Sequence, residues 1–199
     1  MDHTKRLLVN SLDLLCNEHP LNFPLLKTFQ VDESTVNFLN KKLQQFSSQN
    51  KLISSKDSGD DIYVSETGVH TGNLCLWDDP EYQDFLSNDL LEMCSSQLNI
   101  DKKHISFKFN HFFDYREGGE VKLHNHVTNE DFVLFIYTNT CSSGHTVFHL
   151  NHLFEKGKIV KLKPTFGLGA IFSSMLYHEA EYTNEPKKIF VVAINIDLD

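Results

Sequence analysis

The spacing of apolar positions along this chain changes once, near residue 100. Before that point it is mostly helical. Residues 4–17 carry Leu7, Leu8, Leu12, Leu14 and Leu15 at spacings that fit an amphipathic helix, with a strand reading open for part of the segment. Pro20 and Pro24 break the pattern. A better-marked helix follows: Asp32 can cap it, and Val36, Leu39, Leu43 and Phe46 form an apolar stripe with Phe38 to one side. Residues 47–61 are rich in Ser, Lys, Asp and Gly and predict a loop. The pattern is irregular around Trp77 as far as Pro80. A third helix is then predicted over 81–97, with Tyr82, Phe85, Leu90, Leu91 and Met93 apolar, and a turn over 99–103.

Beyond residue 104 the period is two. Strands are predicted at 105–113, continuing to Tyr115, and at 121–126, 132–137, 146–150, 158–162, 169–172 and 189–196. The 132–137 run is apolar throughout, as a strand covered on both faces requires. About seven or eight short strands after a helical half predict an α+β, mainly β, sandwich or barrel, with the helices packed on the outer face of one sheet. No repeat or linker divides the chain. The expectation is a single domain over 1–199, with 1–100 as helical support and loops and 101–199 as the β core.

Composition sharpens this in three ways. Sixteen Phe against one Trp predict a Phe-packed interior. A net charge of −9 argues against a nucleic-acid binder, which needs clustered Lys and Arg on phosphates. Cys16, Cys75, Cys94 and Cys141 form no Cys-x-x-Cys pair, so the reading is four free thiols in a reducing compartment. The N-terminus is polar and charged, and no apolar run is long enough to span a membrane. A cytoplasmic protein without signal peptide is expected.

The candidate chemistry lies in the segment from Tyr115 to His126. His124 and His126 stand two apart, so on a strand both imidazoles share one face and can grip one metal ion. Gly118 and Gly119 just upstream allow a tight turn that aims this strand. His178, at the end of a later apolar strand, could close the far side. Two histidines and a carboxylate on one face are the ligand set of non-haem Fe(II) oxygenases.

The order of motifs over 105–196 resembles the Fe(II)/2-oxoglutarate-dependent dioxygenases, and most closely their prolyl-4-hydroxylase-like branch. That family reads Tyr-x-x-Gly, then His-x-Asp six residues after the glycine; here stand Tyr115, Gly118 and His124. An apolar strand ending in Tyr-Leu-Asn is matched by Tyr137, Thr138 and Asn139, and a Gly-Gly-Glu-Thr-x-Phe segment by 143–148. Pro164, Gly167 and Phe172 then precede the distal histidine, His178, and Lys187 or Lys188 follows where the family binds the far carboxylate of 2-oxoglutarate. The resemblance implies a double-stranded β-helix (a jelly-roll or cupin-like barrel) with N-terminal supporting helices. It also implies Fe(II), 2-oxoglutarate as co-substrate and O2, used to hydroxylate an unactivated C–H bond. It makes His124, His126 and His178 the catalytic metal ligands, and Tyr115, Tyr137 and Lys188 or Lys187 the 2-oxoglutarate site. Lys188 is preferred because it directly precedes the apolar strand. Peptide, protein or small-molecule substrates are expected, with a prolyl side chain first among them, and neither nucleic acid nor membrane.

One departure matters. The carboxylate position of His-x-Asp holds His126, and three neutral imidazoles leave the site one unit more positive than the usual triad. Three outcomes are open: His126 is the third ligand, Glu130 or Asp131 turns in to supply a carboxylate, or the site has lost its metal. Asn125 and Asn139 are candidates for orienting the ligand histidines, His145, His149 and His152 for the substrate mouth or a solvated strand face, and His111 for the pocket wall. Residues 47–61 and 73–80 are candidates for a lid. Two rival readings remain. In a cupin, Gly118, His124, His126 and Glu130 match most of the first motif, but Tyr137 stands where it wants Gly and His178 falls outside the second. That reading implies a three-histidine metalloenzyme without 2-oxoglutarate. The other rival is a non-catalytic barrel that binds a peptide.

Overall fold

A computed structural model describes residues 25–49, 52–54, 62–65, 67–68, 79–127, 130–150 and 159–197. The predicted 4–17 helix, Cys16, Cys75, Trp77 and His152 lie outside them, as do most residues of the two candidate lid segments.

The described elements run β1 (Leu26–Gln30), α1 (Glu33–Ser48), β2 (Leu52–Ser54), β3 (Ile62–Ser65), β4 (Thr67–Gly68), α2 (Pro80–Phe85) and α3 (Leu91–Leu98), then β5 (Ile105–Tyr115), β6 (Val121–His124), β7 (Phe132–Tyr137), β8 (Thr146–His149), β9 (Ile159–Leu162), β10 (Leu168–Ser173), β11 (Tyr177–Ala180) and β12 (Lys187–Ile196). Among these, one large antiparallel sheet has the order β1-β10-β7-β12-β5-β3-β2 with β4 also on β5, and a small sheet has the order β6-β11-β8-β9. Two antiparallel sheets carrying helices on one outer face form the double-stranded β-helix that the strand pattern and the family resemblance implied.

Alternation along the long strands divides the core. Phe132, Leu134 and Ile136 of β7 face outward with Phe112, Phe190 and Val192, and the α1 stripe Val36, Leu39, Leu43 and Phe46 covers them. Val133, Phe135 and Tyr137 face inward, toward Phe148, Phe172 and Ile189. All six residues of β7 are therefore buried. Asp32 caps α1, accepting from Thr35 N at 2.8 Å.

The first half is not purely helical, which corrects the expectation. β1 begins two residues after Pro24 and extends the large sheet by pairing with β10. β2 lies inside the stretch expected to be a loop and pairs with β3. Five residues, or three, are too few to display a period, and edge pairing decided these segments instead. The predicted third helix begins at Pro80, with Asp79 as cap, but passes through a π-helical turn at Leu86–Leu90 before α3. That extra residue per turn keeps Tyr82, Phe85, Leu86, Leu90 and Cys94 all in the core. Asn99, with φ 56°, ends the helix in the left-handed conformation. Cys94 and Cys141 are free and buried. No helix among the described residues is long and apolar enough to cross a membrane.

Candidate metal centre

The small sheet brings the histidines together. Gly118, with φ 95°, sits in the turn before β6, and its N–H donates to Thr183 O at 2.8 Å. That turn aims β6 along β11, where His124 stands directly opposite His178. His178 does not end the 169–172 strand, as expected; a turn after Ser173 moves the chain into the other sheet, and His178 lies in β11. His126 has left β6 but is fixed by its N–H, which donates to Ser174 O at 2.9 Å. The three side chains offer ring nitrogens all within 4.8 Å of one another, with ring centroids 4.3–5.1 Å apart.

Two of the imidazoles are held from behind by backbone carbonyls. Nδ1 of His124 lies 2.8 Å from Lys122 O, and Nδ1 of His178 lies 3.0 Å from Leu176 O. Donation from Nδ1 to a carbonyl fixes the tautomer and leaves Nε2 for a metal. His126 Nδ1 is 2.6 Å from Glu130 Oε1. Phe148 and Phe172 pack on the His178 ring, at 5.8 and 4.8 Å between centroids. Burial, with the His124 charge second, lowers His126 to about 4 and His178 to about 3. Both are neutral at physiological pH, the form that ligates metals. Three convergent imidazoles, two of them with Nδ1 held on a backbone carbonyl, fit a divalent transition-metal ion.

Of the alternatives for the third position, His126 is the one whose ring nitrogen lies in the cluster. Glu130 is no member of the cluster; its carboxylate sits behind His126, with burial raising it and the Lys108 charge partly opposing. Asp131 points elsewhere, since its Oδ2 accepts from Ile196 N at 2.8 Å.

A cavity of about 290 Å³ runs from the histidines into the space between the sheets. Phe109, His111, Phe113 and Tyr115 of β5 line one wall, and Phe135 and Thr146 line others. Strand period was the signal for this wall: once Tyr115 faces the site, residues 113, 111 and 109 follow at steps of two. Thr146 lay inside a matched motif without being singled out. Tyr137 is buried deeper, where its hydroxyl donates to Thr146 Oγ1 at 2.6 Å.

The inward lysine is Lys187, and the preference for Lys188 is corrected. Lys187 is 0 % exposed, shares its face of β12 with the cavity-lining Ile189 and Val191, and stands 4.0 Å over the Tyr115 ring. Its Nζ donates to Gly144 O at 2.9 Å, and burial pushes it down to about 8. Lys188 falls on the opposite side of β12, itself only half-buried, beside Asp114 of β5. Asn139 is a brace rather than a histidine partner: its side chain bonds Pro186 O and Lys188 N, both at 2.8 Å. His145 and His149 pair with Glu181 and Glu179, at 3.2 and 3.0 Å. Neither belongs to the metal cluster.

Comparison with solved structures places the fold. A 2OG-Fe(II) oxygenase family oxidoreductase from Burkholderia pseudomallei matches with a TM-score of 0.65 at 13% identity, over 86% of this chain and 84% of that one. A Pseudomonas putida prolyl-4-hydroxylase matches with a TM-score of 0.63 at 13% identity, over 87% and 94%. SnoN, a non-heme alpha ketoglutarate dependent epimerase from nogalamycin biosynthesis, matches with a TM-score of 0.68 at 8% identity, over 85% and 77%. No protein-family model matches the sequence, and a search of curated proteins returns no relative. At these identities the likeness establishes the fold.

Proposed function

We propose that this chain is an Fe(II)- and 2-oxoglutarate-dependent dioxygenase that hydroxylates an unactivated C–H bond, with a prolyl side chain of a peptide or protein as the first substrate to test. One observation carries the reading. On the fold shared with such oxygenases, three imidazoles converge at a cavity lined mainly by apolar side chains, and a buried lysine lies on the same face of β12 as the cavity-lining Ile189 and Val191. No carboxylate of a described residue pairs with Lys187. A cation kept in that state favours an anionic ligand strongly, and the far carboxylate of 2-oxoglutarate supplies one.

In this reading His124, His126 and His178 would hold the metal, and the Nδ1 contacts of His124 and His178 keep their Nε2 atoms available to it. Bound iron and 2-oxoglutarate supply oxygen activation coupled to oxidative decarboxylation, giving succinate, CO2 and one oxygen atom for the substrate. Lys187 binds the distal carboxylate. Thr146 accepts from Tyr137, which leaves its own hydroxyl proton free to donate into the chamber. Phe148 and Phe172 hold the His178 ring and exclude water, and the Phe109 and Phe113 wall suits an apolar substrate group.

The test is anaerobic addition of Fe(II) and 2-oxoglutarate, read as the weak visible charge-transfer band of their chelate. The band is expected in the native protein, absent in His124→Ala and His178→Ala, weakened at least about tenfold in affinity in Lys187→Ala, and kept in Lys188→Ala. Prolyl peptides should then stimulate succinate formation. A protein that binds no iron sinks the reading. The third imidazole favours one rival, a three-histidine metalloenzyme that does not use 2-oxoglutarate; iron bound without any response to 2-oxoglutarate would select it.

A further inference from the structure

Glu130 is an orphan in the described structure. Its side chain is 0 % exposed, and neither carboxylate oxygen has a hydrogen-bond donor of good geometry among the described residues. The 2.6 Å approach of His126 Nδ1 to Oε1 therefore lies off the N–H axis. Backbone hydrogen bonds hold both sides of this contact. Glu130 N–H turns back toward His126 O at 3.4 Å, and the next residue is pinned by Asp131 N–H to Ile194 O and by Ser174 N–H to Asp131 O, both at 3.0 Å. A carboxylate buried without a partner is costly, and a nearby positive charge offsets the cost. The position that lacks such a charge is one imidazole away, at Nε2 of His126.

From this geometry we infer that Glu130 is a positioning residue for the metal, acting through His126. It accepts the His126 Nδ1 proton when Nε2 is bound to the ion, and so holds the third imidazole in place and raises its donor strength. The inference rests on the metal-centre reading above. It also accounts for His126 standing where the resembling family has Asp. The negative charge of that carboxylate is kept but moved one residue outward, so the assembly of three histidines and Glu130 carries the net charge of two histidines and one carboxylate. Partners of this kind behind a ligand imidazole change metal affinity by roughly ten- to a hundredfold.

The experiment is Co(II) titration by calorimetry on the full chain, comparing native protein with Glu130→Gln, His126→Ala and the double variant. Glu130→Gln is expected to weaken Co(II) binding about ten- to a hundredfold. In the His126→Ala background the same change should move affinity less than about threefold, because the carboxylate has lost the ring it acts through. Melting of the metal-free protein separates this from a structural role: Glu130→Gln should melt no lower than native, while the rise on adding Co(II) shrinks. X-ray absorption of native Co(II) protein should count three imidazoles, a readout that needs no variant to fold. Equal losses in both backgrounds, or two imidazoles plus a carboxylate, would make Glu130 a direct ligand and overturn the inference. So would an unchanged affinity in folded Glu130→Gln, with the metal-centre reading left standing. Native protein that takes up no Co(II) overturns both.

Discussion

On β12, Phe190, Val192 and Ile194 face the helices, whereas Ile189 and Val191 line the chamber and the buried Lys187 shares their face. The outer face is packing throughout: Phe190 sits 4.9 Å from Phe112 and 6.3 Å from Phe85, ring to ring. The inner face mixes apolar residues with groups that a stable core does not need, among them a lysine without a carboxylate partner and a layer of tyrosines. The small sheet adds His124 and His178 to the same interior, and His126, just past the end of β6, completes the cluster with Glu130 behind it. The two faces share strands and differ in purpose. Stability is concentrated on the helical side, and the chamber side gives some of it up for binding.

The largest test of that division is Phe190→Ala. It removes a fully buried ring from the outer face and should cost about 3–5 kcal/mol, measured by denaturant unfolding. Material that still folds should bind metal as the native protein does. A variant that lost metal affinity before stability would break the comparison.

Lys187→Met tests the inner face with the opposite sign. Burial lowers Lys187 to about 8 from an ordinary 10.5, so the folded state holds its proton less tightly than the unfolded chain. The destabilisation is complete below pH 8 and disappears as pH rises from about 8 to 10.5, where the unfolded state binds more protons. Lys187→Met should therefore stabilise the metal-free protein at pH 7 by up to about 3 kcal/mol and abolish the response to 2-oxoglutarate. The gain should shrink toward pH 10.5, in paired unfolding curves at the two pH values. No gain at pH 7 would mean that the chamber floor is wetter than its burial indicates.

Much of this division was legible in the sequence, because the two periods are long enough to read. The stripe of α1 and the six apolar residues of β7 each state their partners. The histidine pair was legible as a cluster, although β6 ends at His124 and a backbone hydrogen bond to Ser174, not the strand period, places His126. What failed to show has physical causes. A one-residue slip reverses the face of every strand residue, so Lys187 and Lys188 were interchangeable until the register with Tyr115 and Asp114 was fixed. His178 changes sheets through a turn with no glycine or proline from 173 to 176 to mark it. His126 and Glu130 both lie outside the strands, where no period applies. β1 and β2 owe their form to the edges they pair with.

A smaller effect is expected at the boundary between the faces. Tyr137 is an inner-face residue whose hydroxyl is spent on Thr146 and the Leu162 carbonyl, at 2.6 and 3.4 Å. Tyr137→Phe should cost about 1–1.5 kcal/mol in unfolding free energy. It should affect 2-oxoglutarate binding less than Lys187→Ala does, because Thr146 remains in the cavity wall.

The smallest effect belongs to the outer side, and it sharpens the contrast through pH. Asp32 accepts from Thr35 N, Thr35 Oγ1 and Ser34 Oγ at the start of the helix that covers the large sheet. Those hydrogen bonds, Ser34 first, hold its carboxyl at about 2, below an ordinary 3.8. A depressed carboxyl contributes stability that is fully present above pH 3.8 and is lost as pH falls through 2. Asp32→Ala should cost about 1 kcal/mol at pH 7, the usual worth of an N-cap, and the difference from native should vanish near pH 2. The helical face then weakens in acid through its cap, while the chamber face strengthens in base through Lys187. Unfolding curves for the two single variants and their double, taken from pH 2 to 10.5, should show additive effects, since the cap and the chamber floor share no partner. Coupling between them would mean that the two faces of the sheet are not independent.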